Sequence, residues 1–136
     1  MDARRISEEY TEIGRELIES EPELAELKNA DVQIIFLASE HEKKHNGSKV
    51  YGQCEKVAEK YKWAVPCEFT ITIFEPNVVD FSSDQLRILI FHELLHVGVV
   101  DDKFYIRNHD LEDFKCIVEK YGVDWDCEQL KDVLKS

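Results

Sequence analysis

The spacing of apolar residues along the chain changes several times, and each change marks a predicted element. Residues 3 to 19 carry Ile6, Tyr10, Ile13 and Leu17 at helical spacing among acidic residues, which predicts an amphipathic surface helix. In "SEPEL", Ser20 reads as an N-cap with Glu23 as its capping-box partner and Pro22 in the first turn, so a second, short helix should run to about Asn29. "VQIIFLAS" (32 to 39) is apolar nearly throughout and rich in β-branched residues, the pattern of a central strand covered on both faces. "EHEKKHNGSK" follows as a charged loop between strands, ending in the turn dipeptide Asn46-Gly47. "VYGQCEKV" (50 to 57) suits a strand with Gly52 at a bulge, while "EKVAEKYKW" also suits a helix; the pattern leaves both open. In "CEFTITIFEP", Phe69, Ile71 and Ile73 alternate with Thr70 and Thr72, predicting a strand with one face half exposed that closes at Pro76.

"FSSDQLRILIFHELLHVG" carries the clearest helix signature. Ser82 can cap it with Gln85 as reciprocal partner, Phe81 and Leu86 stand at hydrophobic-staple positions, and Gly98 offers a left-handed stop, giving a helix over about 83 to 97. "VVDDKFYIR" reads as a connecting loop. A third long helix should begin near Asn108 or His109, with Leu111, Phe114, Ile117, Val118 and Tyr121 on one stripe and Gly122 at its end. Leu130, Val133 and Leu134 suggest a last helix over 126 to 135. The mixture predicts an α+β fold, a small mixed sheet packed against one buried helix with further helices around it. At 136 residues, the chain should form a single domain over residues 1–136.

Charge narrows the function classes. A formal charge of −12 and a pI near 4.8 repel phosphate backbones and anionic membrane surfaces, so neither nucleic acid nor membrane is an expected partner. The start "MDARRISEEYTEIG" lacks the apolar core of a signal peptide, and no apolar run approaches the roughly 18 residues of a membrane span, so a cytoplasmic location is expected. Cys54, Cys67, Cys116 and Cys127 form no C-x-x-C pair and read as reduced thiols in or near the core.

The pattern H-E-x-x-H occurs twice, as "HEKKH" (41 to 45) and "HELLH" (92 to 96). Its chemistry is geometric: on a helix, residues i and i+4 share a face, two imidazoles can hold one Zn²⁺, and the Glu sits beside the water as general base. "HEKKH" has no apolar face to anchor a helix, two lysines at its centre and Asn-Gly directly after, so a solvated loop is the better reading. "HELLH" is surrounded by Leu86, Ile88, Leu89, Ile90, Phe91, Leu94, Leu95 and Val97, the composition of a buried helix. Burying His92, Glu93 and His96 without partners would cost several kcal/mol, and a metal would satisfy all three together.

Catalytic zinc commonly takes three protein ligands. With the loop pair set aside, His109 is the histidine that remains, and Asp102, Asp101, Asp110, Glu112 and Asp113 are the competing carboxylates. Asp102 falls where the extended metzincin pattern places its last ligand, although the glycine of that pattern would fall on Val99, one residue past Gly98.

"FSSDQLRILIFHELLHV", followed by "RNHDLEDFKCIVEKYG" and Trp125, resembles the phage metallopeptidase family of small zincins. More distantly the layout is similar to SprT-like proteases, whose third histidine opens a following helix; Asp110 stands where that pattern has glycine. The resemblance implies a minimal zincin-like domain, Zn²⁺ held by His92, His96 and His109, Glu93 as catalytic acid/base, and a peptide or protein substrate. Around that centre, Tyr105 is a candidate oxyanion donor, "FTITIF" a candidate edge for a substrate strand, and Asp101 and Asp102 candidates for orienting the histidines or favouring basic substrates. The competing reading is a non-catalytic metal-binding interaction module.

Overall fold

The computed structural model describes residues 4–101 and 103–107. It is a mixed α+β fold in which strands β1 (Arg4–Ile6), β2 (Ile34–Ser39), β5 (Gly52–Lys56) and β6 (Phe69–Phe74) form one sheet in the order β1-β2-β6-β5. β2 and β6 are parallel, and the other two pairings are antiparallel. Helices α1 (Glu8–Ser20), α2 (Ala25–Ala30) and α3 (Ser83–Leu95) complete the core. Two hairpins, β3 (Lys43–His45) with β4 (Ser48–Val50) and β7 (Val97–Val100) with β8 (Lys103–Ile106), stand apart from the main sheet.

The core forms where the inward face of the sheet meets the helices. Phe36 lies beside Ile71 and Ala38 beside Ile73 in register, and all four are buried. Since strand side chains alternate between faces, Phe69 joins Ile71 and Ile73 in one apolar row. Against this surface α3 buries every residue from Ile88 to Leu95. Helix α1 comes close to the sheet through Gly14, where an added Cβ would lie 2.2 Å from Cζ of Phe36.

Several expectations are corrected by contacts distant in sequence. The first residues pair with β2 as β1, with Ile6 opposite Leu37, and helix α1 begins only after Ser7, whose Oγ accepts from the Tyr10 N–H. Ladder pairing here overrides the helical spacing of Ile6, which is 67% exposed. Ser20 ends α1 instead of capping α2, and its hydroxyl donates back to the Glu16 carbonyl. Pro22–Leu24 then forms a single 3₁₀ turn before α2.

The "HEKKH" loop is a hairpin, closed by Asn46 (φ 52°) and Gly47 (φ 81°), the left-handed pair that a two-residue turn requires. β5 pairs with β6 in unbroken register from Gly52 to Lys56, without a bulge, and Glu59–Tyr61 is only a 3₁₀ turn. β6 has no half-exposed face: it lies inside the sheet, and Thr72 is fully buried with its hydroxyl accepting from Arg4. An interior strand has no free ladder groups, so "FTITIF" cannot take an added substrate strand. Within the expected open loop, β7 and β8 pair as an antiparallel hairpin, Val99 opposite Phe104 and Val100 opposite Lys103. Among the described residues, no helix is long and apolar enough to cross a membrane.

Candidate metal centre

The site is built on the C-terminal half of α3. Its start follows the expected chemistry: Ser82 Oγ accepts from the Gln85 N–H, and the Gln85 side chain accepts from the Ser82 N–H, a complete capping box. The end differs from expectation. The helix stops at Leu95 with His96 as C-cap, at φ −75° and ψ −15°, so His96 still follows the helical path and keeps the i, i+4 relation to His92. Gly98 is in β7 and is not among the glycines with positive φ, so it is no left-handed stop.

His92, Glu93 and His96 are 1%, 0% and 8% exposed. The two imidazoles stand perpendicular with ring centroids 5.0 Å apart, and one ligand atom from each of the three residues lies within 4.8 Å of the others. Neither carboxylate oxygen of Glu93 has a hydrogen-bond partner among the described residues, and burial pushes its carboxyl up to about 8. A carboxylate withdrawn from water this far is costly unless a cation compensates it, so two imidazoles with one carboxylate fit a borderline-soft divalent ion.

Strand β5 gives Glu93 its space. A Cβ on Gly52 would sit 3.1 Å from Glu93 Cγ and 3.3 Å from Leu89 Cδ1, so a larger residue would press directly on the carboxylate side chain. Cys54, two residues along the same face, is a free cysteine whose thiol is pushed up by burial first and by the neighbouring Glu93 charge second.

The β7–β8 hairpin brings the chain back onto His96. The Arg107 N–H donates to the His96 carbonyl at 2.6 Å, and His96 Nδ1 lies 2.6 Å from the Arg107 carbonyl oxygen. A carbonyl can only accept, so Nδ1 carries the proton and Nε2 presents its lone pair, the tautomer a metal ligand needs. Three contacts hold this return. Phe104 meets Phe69 edge-on at 6.2 Å, Arg107 pairs with Glu26 of α2 at 3.6 Å, and the Tyr105 ring lies over Gly98, its cross-strand partner.

The predicted residues thus fall into four groups. His92, Glu93 and His96 come together as the motif requires. His41 and His45 are exposed at the β3–β4 hairpin, away from any ligand cluster among the described residues. His109, Asp102, Asp110, Glu112 and Asp113 lie outside the described residues, as do Cys116, Cys127, the third long helix and the tail. Asp101 sits at the exposed turn of the β7–β8 hairpin with φ 50°, and Tyr105 is occupied with Gly98. Gly52, Gly98 and Arg107 were not legible as parts of the site. A signal existed for the hairpin, since "VGVV" and "KFYI" flank two aspartates in the sequence, but Gly98 directly after the motif reads more simply as a helix stop.

The family described as "Putative phage metallopeptidase" matches residues 4–136. No curated protein and no solved structure matches the chain.

Proposed function

Because the chain belongs to the phage metallopeptidase family, we propose that it is a zinc-dependent metallopeptidase in which His92, His96 and His109 hold the ion and Glu93 handles the proton. The observation that carries this reading is the Glu93 carboxylate: fully buried, without a hydrogen bond among the described residues, and flanked by two imidazoles. When bound, zinc supplies Lewis acidity, acidifying the attacking water and polarising the scissile carbonyl. Glu93 takes the proton of that water on a carboxylate oxygen and delivers it to the leaving amine. His96, protonated at Nδ1 by its bond to Arg107, offers Nε2 to the ion.

The test is turnover of a mixed peptide library by the purified chain, with and without chelator, together with elemental analysis. Zinc near one equivalent and chelator-sensitive cleavage are expected. Glu93→Gln should lower turnover by about 10²–10⁴-fold while zinc stays bound; cleavage at the wild-type rate in that variant sinks the mechanism. Zinc without cleavage of any peptide leaves the metal-binding interaction module. For the third ligand, His109→Ala should lose most zinc affinity, and loss in Asp102→Ala instead assigns the ligand to Asp102.

A further inference from the structure

Resting on the reading of His96 as a ligand, we infer that Gly98 and Tyr105 are positioning residues for the metal centre. Their packed contact fixes the β7–β8 hairpin at the height where the Arg107 carbonyl meets His96 Nδ1. His96 is a C-cap, so no further helical turn constrains it from the C-terminal side. From that side it is met by a pair of bonds to the backbone of Arg107, both 2.6 Å long. Arg107 follows β8 directly, so the separation of β7 and β8 sets where its carbonyl falls.

The ladder fixes that spacing, and the Gly98–Tyr105 pair braces one face of it two residues before Arg107. An added Cβ on Gly98 would stand 2.4 Å from Tyr105 Cζ and 2.6 Å from Cε1 and Cε2, so the ring rests on the bare backbone of its partner. Gly98 is buried and Tyr105 is 40% exposed, so the ring forms a lid over the glycine with one face in water. Any side chain at 98 must displace the far end of the ring from the glycine, and so removes the packing that braces β8 against β7 just before Arg107. On the other face of β8, Phe104 meets Phe69, so the strand is braced on both faces and loses one brace when the Tyr105 ring leaves Gly98. The contact uses the ring and not the hydroxyl, which separates this role from oxyanion donation.

The experiment reads zinc affinity of the full chain by competition with a chromogenic chelator, and the His96 ring-nitrogen NMR signals of the metal-free protein. Tyr105→Phe should keep wild-type affinity and a single Nδ1-protonated His96. Gly98→Ala should weaken zinc binding about 10–100-fold, the range for loss of an orienting partner, and should give mixed His96 tautomers. Tyr105→Ala, which introduces no clash and so keeps the fold accessible if Gly98→Ala does not fold, should weaken binding in the same direction. Adding Gly98→Ala to Tyr105→Ala should cost little more, because the steric conflict is gone. Wild-type affinity with one tautomer in either Gly98→Ala or Tyr105→Ala overturns the inference, as does a loss in Tyr105→Phe equal to that in Gly98→Ala. Failure of the wild-type chain to bind zinc would count against the proposed function, whereas the tautomer measurement judges the hairpin without metal.

Discussion

Glu93 occupies the position where stability and the proposed chemistry conflict most directly. In metal-stripped protein its carboxylate is buried without a hydrogen bond from the described residues, so the neutral amide of Glu93→Gln should raise stability by about 1–3 kcal/mol at pH 8 and above, measured by urea denaturation. An unchanged or lowered midpoint would mean that the carboxylate is compensated from elsewhere. Gly52 acts on the same side chain through space. Gly52→Ala should leave zinc content intact but shift Glu93 by a few tenths of an ångström, lowering kcat about tenfold at similar KM. His92, Glu93 and His96 could be read from the sequence because the i, i+4 relation is local and needs no tertiary contact. Gly52 and Arg107 could not, since each meets its partner only after β5 and β8 have been placed by the sheet and the hairpin.

At the level of elements, α3 was legible because its cap, its staple positions and its apolar run all point to the same helix. The capping box ties its first turn, and Ser82→Ala should cost about 1 kcal/mol, visible as a lowered thermal midpoint with the metal site unchanged. Gly14 in α1 carries a sharper constraint. Gly14→Ala drives a methyl into the Phe36 ring and should destabilise by about 1–3 kcal/mol despite alanine's better helix propensity; a stabilised variant would mean that α1 can ride outward at no cost. The errors share one physical cause. β1, the β3–β4 hairpin and the β7–β8 hairpin are strands of three or four residues, too short for alternation to stand out, and their identity comes from the partner strand. The reading of β6 as half exposed failed similarly, because threonines at 70 and 72 look like a solvent face until Arg4 is seen to cover Thr72.

For the whole molecule, the polar ties that join distant segments matter more than the net charge. Arg5 of β1 and Tyr10 of α1 both bond Glu75 in the turn after β6, at 2.8 and 2.9 Å. The Arg5 hydrogen bond holds the Glu75 carboxyl below its ordinary value. A carboxyl with a depressed folded-state pKa adds stability that is present above its unfolded value and lost as pH falls through the folded one. Acid titration of stability should therefore steepen below the ordinary carboxylate range in wild type, and Glu75→Gln should flatten that limb; equal slopes would show that the tie contributes nothing. The α+β class could be read from the order of periodicities, whereas strand order could not, because no local signal says that β6 enters between two strands made before it. That insertion dictates how the molecule comes together. β2 must wait for residues 40–68 to pass before its parallel partner arrives, and β5 has no neighbour in the main sheet until β6 is in place. Closing so long a connection before any pairing rewards it makes the arrival of β6 the slow event in refolding. Ile71→Val should accordingly slow refolding in stopped-flow measurements, whereas truncations in the β7–β8 hairpin should show up as faster unfolding, so that α3 acquires its floor before His96 acquires its clasp.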